Sequence, residues 1–177
     1  MSLTKTITLI GLMGAGKTTI GSVLAKKLEV EFIDSDRMIE EKAGVSIPEI
    51  FKRDGEEFFR KVESKTITDI LNAGKPCVLA TGGGAFMNEQ TRNAIKKHSV
   101  CIWLKASLDI LYDRVQASNT RPLLNNVDKR EILKKLMEER YPLYETADII
   151  IDTDVNSRTV ITDNIYNELK EKELWKS

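Results

Sequence analysis

The sequence is poor in the residues that build metal clusters and disulfide frameworks, because it has one histidine and two cysteines among 177 residues. Cys77 and Cys101 lie far apart in separate apolar runs and form no C-x-x-C pair. We therefore expect both to be buried, reduced thiols. His98 alone cannot complete a metal cluster with them.

The chain also lacks net charge and long apolar runs. Its 27 basic and 27 acidic side chains cancel, which argues against bulk attraction to nucleic acid or membranes. No apolar stretch approaches the roughly 20 residues that cross a bilayer, and the N-terminal segment has no signal-peptide layout. These features predict a cytoplasmic protein without nucleic-acid or membrane partners. No heptad pattern demands a partner chain, so we expect a monomer forming a single domain over 1–177.

Short apolar runs alternate with helical patterns along the chain. Five runs are strand candidates, at 6–12, 30–34, 77–81, 100–104 and 148–152. They are rich in β-branched residues and apolar almost throughout, as in strands covered on both faces. The alternation predicts an α/β fold of three layers, α/β/α, with a five-stranded parallel sheet. A ligand should then bind beyond the carboxyl ends of the strands.

Several helix ends and one long loop can be located from the sequence. Ser46 and Glu49 form a capping box, a longer helix should span about 56–72, and Asn88 and Ser107 are predicted N-caps. The predicted apolar stripes of the first and last helices contain Ile20, Val23, Leu24, Leu28, Val160, Ile161, Ile165 and Leu169. The stretch 116–129 is polar, Asn-rich and broken by Pro122. We interpret it as a lid loop.

Residues 11–18, "GLMGAGKT", match the phosphate-binding pattern G-x-x-x-x-G-K-[ST] without a mismatch. Such a loop surrounds an anion with backbone N–H groups at the positive end of a helix. Lys17 can reach the outer phosphates, and Thr18 can place its hydroxyl on Mg²⁺. The alternative is a glycine-rich turn with a chance lysine. The position between a predicted strand and a predicted helix favours phosphate binding.

Two aspartates end the second strand candidate. On an extended chain, Asp34 and Asp36 would point to the same side. One could bind Mg²⁺ or its waters, and the other could accept a proton from an attacking hydroxyl. Alternatively, Ser35 or Asp36 caps the following helix. The spacing leaves both interpretations open.

Arginines and a glycine run supply further candidates. Arg60 lies three residues before Glu63 on one helix face, either as a solvated ion pair or as an arginine held in place to grip a carboxylate. The run 82–84 is all glycine, which suggests either backbone lying flat against a ligand or a flexible hinge. Arg121 lies in the predicted lid, where it could neutralise a transferring phosphoryl group, and Arg114 near the lid base could stack on a purine. Arg140 precedes the helix-disturbing Pro142. Each arginine alone could be an ordinary exposed side chain.

Taken together, these blocks resemble the shikimate kinase family. The resemblance is carried, in order, by "GLMGAGKTT", "FIDSD", "DGEEFFRKVE", "TGGGA", "TRPLL" and "RYPLYETAD", which extend from residue 11 to 148. It implies a P-loop, nucleoside-kinase-like fold with the loop-bearing strand in the centre. It also implies transfer of the γ-phosphate of ATP to the 3-hydroxyl of shikimate, on the route to chorismate and the aromatic amino acids.

The resemblance also implies roles for individual residues. Asp36 would hold the shikimate hydroxyls and act as the candidate base, within a shikimate-binding helical region at about 36–62. Arg60 and Arg140 would grip the shikimate carboxylate, and the backbone of Gly82, Gly83 and Gly84 would close over the ring. Lys17 and Arg121 would stabilise the transferring phosphoryl group. Thr18 would ligate Mg²⁺, and Asp34 would act mostly through its waters. The residues implied to bind ATP are Gly14, Ala15, Gly16, Lys17, Thr18, Thr19, Arg114, Arg121 and Arg158.

Two rival functions remain at this level. A kinase of the same fold for another small metabolite, such as gluconate, would share the phosphate loop and a lid. A non-enzymatic, nucleotide-gated binding module could keep the pocket without phosphoryl transfer. The ordered acceptor motifs argue against the former, and the presence of Lys17, Thr18, Asp36 and Arg121 argues against the latter.

Overall fold

The structure is a computed structural model that describes residues 2–117, 128–154, 157–172 and 174–176. Its strands are β1 (Ser2–Leu3), β2 (Thr6–Ile10), β3 (Glu31–Asp34), β4 (Cys77–Ala80), β5 (Ser99–Lys105), β6 (Ile149–Asp152) and β7 (Trp175–Lys176). Its helices are α1 (Lys17–Leu28), α2 (Ser35–Ala43), α3 (Ile47–Asp54), α4 (Glu56–Asn72), α5 (Glu89–His98), α6 (Leu108–Ala117), α7 (Lys129–Tyr144) and α8 (Arg158–Glu171), with a 3₁₀ turn at Ala85–Met87.

The five predicted strands form one parallel sheet in the order β3-β4-β2-β5-β6. The loop-bearing strand β2 lies in the centre, as expected. Strand order reverses around β2, because the chain first forms β3 and β4 on one side of it and then β5 and β6 on the other. Such a reversal opens a crevice at the carboxyl ends of the strands. The two-residue strands β1 and β7 pair antiparallel and are too short to produce a detectable pattern in the sequence.

The core lies against the three central strands. Leu9, Leu79 and Trp103 are fully buried on β2, β4 and β5. The expectation that all five strands are covered on both faces is wrong at the edges, where Ile150 of β6 is 46% exposed. The stripe predictions are likewise wrong for Val23 and Val160, which are 40% and 43% exposed. Each lies at the rim of its helix's apolar stripe, next to residues that do reach the core.

Helix ends follow the local signals closely. Ser46 and Glu49 form the capping box, α4 covers Glu56–Asn72, and the Asn88 side chain accepts a hydrogen bond from the backbone N–H of Thr91. Helix α6 begins immediately after Ser107. Local chemistry therefore determines these boundaries, as capping predicts.

Both ends of the stretch 116–129, which was predicted to be a lid loop, are helical. Helix α6 continues to Ala117 and α7 begins at Lys129, while residues 118–127 lie outside the described part of the chain. Pro142 does not end α7, which continues to Tyr144. Tyr144 is fully buried, and we attribute the continuation to its packing, which outweighs the backbone hydrogen bond that proline removes.

The predicted state of the cysteines is confirmed, since Cys77 and Cys101 are buried and form no disulfide. Burial raises the pKa of both thiols. In the described ranges, no three His, Cys, Asp or Glu side chains gather as a metal cluster. None of the described helices is long and apolar enough to cross a membrane.

Candidate active site

A cleft of about 860 Å³ opens at the carboxyl ends of the strands. It brings together fifteen residues predicted from the sequence: Gly14, Ala15, Gly16, Lys17, Thr18, Thr19, Asp34, Asp36, Arg60, Gly82, Gly83, Gly84, Arg114, Arg140 and Arg158. Arg121 lies outside the described residues. One cleft therefore contains both the phosphate loop and the predicted acceptor residues.

The phosphate loop needs its glycines for two reasons. Gly11, Gly14 and Gly16 have φ values of 151°, 83° and 93°, which side chains rarely tolerate. A Cβ on Gly11 would also lie 2.9 Å from the carbonyl oxygen of Leu104. Lys17 opens α1 and folds back over the loop, where its Nζ donates to the carbonyls of Gly11 at 2.7 Å and Leu12 at 3.0 Å. The loop thus places an ammonium group beside the positive end of α1.

Asp34 connects this loop to the second helix. Its Oδ1 accepts from the backbone N–H groups of Asp36 and Arg37 at 3.1 and 3.3 Å, and its Oδ2 accepts from the Thr18 hydroxyl at 2.8 Å. The N-cap of α2 is therefore Asp34, and the alternative that Ser35 or Asp36 is the cap is wrong. The prediction that both aspartates lie on extended chain is also wrong, because α2 begins at Ser35. Both still line the cleft, since the helix starts at its rim.

Arg60 and Glu63 form an ion pair on α4 that is largely removed from water. Nη1 of Arg60 donates to Oε2 of Glu63 at 2.7 Å, and the exposed fractions of the two side chains are 29% and 2%. Burial raises the pKa of Glu63, although Arg60 and Arg140 oppose it. Burial alone would lower the pKa of Arg60, but the hydrogen bond and charge of Glu63 hold it above its usual value. The solvated-pair interpretation is therefore wrong, and Glu63 holds Arg60 at the cleft.

The three glycines provide room for these charged side chains. A Cβ on Gly82 would lie 2.6 Å from Oε1 of Glu63 and 2.8 Å from Oδ1 of Asp36. A Cβ on Gly84 would lie 2.7 Å from both Nη atoms of Arg60, and one on Gly83 would lie 3.1 Å from Nη1 of Arg140. Backbone angles do not require glycine here, because none of the three has a positive φ in the left-handed region. Glycine is required because the neighbouring side chains leave no space for a Cβ.

Three aromatic residues at this end of the cleft had not been singled out from the sequence. Phe51 and Phe59 pack with ring centroids 4.9 Å apart and line the cleft as an apolar wall. The hydroxyl of Tyr144 donates to the carbonyl of Gly83. In the sequence the two phenylalanines fit an ordinary amphipathic pattern. For Tyr144 the sequence did contain a signal, because a residue four positions after Arg140 lies on the same face of a helix.

Arg114 connects the phosphate loop to the segment after β6. Its guanidinium donates to the carbonyl of Thr153 at 2.8 Å, to the Thr153 hydroxyl at 3.2 Å and to the carbonyl of Gly14 at 3.3 Å. Arg158, the first residue of α8, lines the cleft as well. Both arginines contribute positive charge to the cleft whose walls include the phosphate loop.

The central phosphate loop, the parallel sheet and a cleft shared by the loop and the predicted acceptor residues define a P-loop phosphotransferase with an α/β/α fold. The family model described as shikimate kinase matches residues 13–170. The chain belongs to the shikimate kinase family.

Individual relatives agree with this membership. The chain is 52% identical over 153 residues to a shikimate kinase from Ruegeria pomeroyi, covering 86% of this chain and 78% of that protein. It is 49% identical over 165 residues to one from Mesorhizobium japonicum, covering 93% and 81%. Among solved structures, a shikimate kinase from Acinetobacter baumannii in complex with shikimate superposes with a TM-score of 0.89 at 35% identity, covering 97% of this chain and 96% of that one.

Proposed function

We propose that this chain transfers the γ-phosphate of ATP to the 3-hydroxyl of shikimate, producing shikimate 3-phosphate and ADP. The observation that carries the proposal is the layout of the cleft. One end is a phosphate loop, and the other combines two arginines and an aspartate around the Gly82–Gly84 backbone. Shikimate is a small carboxylate with vicinal hydroxyls. It requires both a fork-shaped cation and an acceptor for hydroxyl protons.

At the acceptor end, we assign Arg60 and Arg140 to the carboxylate and Asp36 to the hydroxyls. Glu63 supports this assignment because it holds Nη1 of Arg60 from the buried side while Arg60 lines the cleft. Asp36 would accept the proton of the attacking hydroxyl. Phe51 and Phe59 would exclude water from the apolar face of the ring.

At the nucleotide end, we assign the phosphates to the backbone N–H groups of residues 14–19. Lys17 would exchange a loop carbonyl for a phosphate oxygen and neutralise charge that develops during transfer. Arg121, on the proposed lid, would act on the same phosphoryl group. Arg114 and Arg158 would bind the nucleotide, with Arg114 against the adenine. Catalysis would consist mainly of positioning and charge neutralisation.

We further propose that the reaction uses Mg²⁺ held at Thr18 and, through water, at Asp34. Their oxygens fit this ion, which prefers a few protein oxygens together with waters and substrate phosphates. The Thr18 hydroxyl donates a hydrogen bond to Oδ2 of Asp34 at 2.8 Å. The lone pairs of the hydroxyl oxygen are therefore left to ligate a cation. When bound, Mg²⁺ supplies charge neutralisation at phosphate oxygens. A single domain, a monomeric state and the lack of nucleic-acid or membrane partners stay predictions.

The test is a coupled ADP-release assay with ATP, comparing shikimate, gluconate and no acceptor, each with Mg²⁺ or with excess EDTA. We expect release only with shikimate and Mg²⁺. ADP release that depends on gluconate would instead identify the chain as a kinase for another small metabolite. Normal ATP binding without turnover on either acid would favour the binding module, and activity in EDTA would refute the metal assignment.

A further inference from the structure

We propose that Tyr144 is a positioning residue of the acceptor site, holding the Arg140 guanidinium and the Gly83 backbone in one geometry. The inference rests on the proposed function, in which Arg140 binds the substrate carboxylate. It concerns the hydroxyl group of Tyr144, because a phenylalanine would fill the same space in the core.

The contacts of the hydroxyl carry the proposal. Tyr144 and Arg140 are four residues apart on α7 and therefore share a helix face. The Tyr144 hydroxyl donates to the carbonyl of Gly83. Burial raises the pKa of Tyr144 to about 12, whereas the charge of Arg140 and a hydrogen bond to it act in the opposite direction. Nη1 of Arg140 in turn lies 3.1 Å from where a Cβ on Gly83 would be. The Tyr144 hydroxyl thus contacts Gly83 and shares a helix face with Arg140, whose guanidinium approaches the same glycine.

The ring of Tyr144 is locked, so its hydroxyl has a defined position. The residue is fully buried. Its ring centroid lies 5.8 Å from that of Trp103, 6.1 Å from that of Tyr141 and 6.2 Å from that of Phe86. These ring contacts restrict rotation of the Tyr144 ring. The sheet residue Trp103 therefore sets the position of a hydrogen-bonding group at the cleft.

Tyr141 provides a matched control on the same helix. Its ring also packs on Trp103, with centroids 4.7 Å apart, and its hydroxyl also donates to a backbone carbonyl, that of Ala106 at 2.5 Å. Burial raises its pKa to about 12 as well. Ala106 does not line the cleft. Removal of either hydroxyl should weaken the core similarly, but only one removal should disturb the acceptor site.

The test compares steady-state kinetics of Tyr144→Phe and Tyr141→Phe with those of the wild-type chain. For Tyr144→Phe we expect the KM for shikimate to rise about tenfold, the change that a lost hydrogen bond to a charged group can produce. The kcat and the KM for ATP should stay near their wild-type values. Tyr141→Phe should lower the melting temperature to a similar extent and leave all three constants unchanged.

An unchanged KM for shikimate in Tyr144→Phe, or an equal rise in both variants, would overturn the inference. If Tyr144→Phe does not fold, side-chain ¹⁵N NMR of the wild-type chain tests the inference instead. The Arg140 signals are assigned by their loss in Arg140→Lys. Hindered rotation of that guanidinium supports the inference and free rotation overturns it. The proposed function fails separately, through wild-type protein that shows no shikimate-dependent turnover.

Discussion

Oε2 of Glu63 accepts a 2.7 Å hydrogen bond from Nη1 of Arg60, while only 2% of the Glu63 side chain is exposed. The arginine is 29% exposed and lines the cleft. A buried carboxylate therefore supports a guanidinium that reaches the substrate space. Arg60 therefore has two separable roles, one in binding the substrate and one in stabilising the fold.

The binding role predicts that Arg60→Ala raises the KM for shikimate by about tenfold or more, because a charge-assisted hydrogen bond is lost. Nucleotide binding should persist, since the phosphate loop lies at the other end of the cleft. Steady-state kinetics with each substrate varied in turn will measure both effects. Lys61→Ala is the matched control, because Lys61 is 75% exposed on the same helix and pairs with Glu57. An unchanged KM for shikimate in Arg60→Ala would refute the carboxylate grip.

The stabilising role predicts that Arg60→Ala destabilises the fold by about 2 kcal/mol near pH 7. This is below the usual cost of breaking a buried pair because Arg60 is partly exposed. Burial already raises the pKa of Glu63, and loss of Arg60 removes an interaction that opposes that shift. A carboxyl group with a raised folded-state pKa destabilises the fold where it is ionised, and the penalty disappears as pH falls through that pKa.

The stability gap between wild type and Arg60→Ala should therefore narrow from pH 7 towards pH 5. Urea unfolding at both pH values measures it. A gap that is constant or widens on acidification would contradict the assignment of the cost to the buried Glu63 carboxylate.

Gly82→Ala should lower kcat/KM for shikimate by about tenfold or more, as expected for overpacking against fixed groups. The new Cβ would lie 2.6 Å from Oε1 of Glu63 and 2.8 Å from Oδ1 of Asp36. Gly74→Ala is the comparison, because Gly74 has a φ of 68° and no described heavy atom lies within 4 Å of the position that its Cβ would take. That variant should lose about 1 kcal/mol of stability through backbone strain and keep normal kinetics. Normal shikimate kinetics in Gly82→Ala would show that the neighbouring carboxylates can move aside.

Lys17→Ala should lower kcat by about a hundredfold, the order of loss for a group that stabilises transition-state charge. Binding of ATP, measured by calorimetry, should weaken less, because the backbone N–H groups of the loop remain. Lys26→Ala, with an exposed lysine in the last turn of the same helix, should leave kcat unchanged. Near-normal turnover in Lys17→Ala would remove this residue from the phosphoryl-transfer step.

Arg114→Ala should raise the KM for ATP by up to about tenfold without changing the KM for shikimate. Arg114 is held between Gly14 and Thr153, so its loss would loosen the nucleotide end only. Arg130→Ala is the control, because Arg130 is 48% exposed and pairs with Asp109. A larger effect on shikimate than on ATP would contradict the division of the cleft into two ends.

Local patterns were sufficient for much of the framework. The spacing of Gly11, Gly16, Lys17 and Thr18 identified the phosphate loop, because backbone amides around an anion require that order. Ser46 and Asn88 located helix starts, since capping involves residues only three apart. The β-branched runs located all five strands of the parallel sheet. These features depend on neighbours in the chain, and the order of residues by itself determined them.

Long-range packing decided the rest. Whether Glu63 was solvated depended on the segment around Gly82, where a Cβ would lie 2.6 Å from Oε1 of Glu63. Val23 and Ile150 are apolar but exposed because of where α1 and the edge strand β6 lie. The contact between Tyr144 and Gly83 likewise required the folded chain. Burial and electrostatic environment arise from residues distant in sequence, so the sequence determined which chemical groups the site contains, and only the tertiary structure decided their charge partners and geometry.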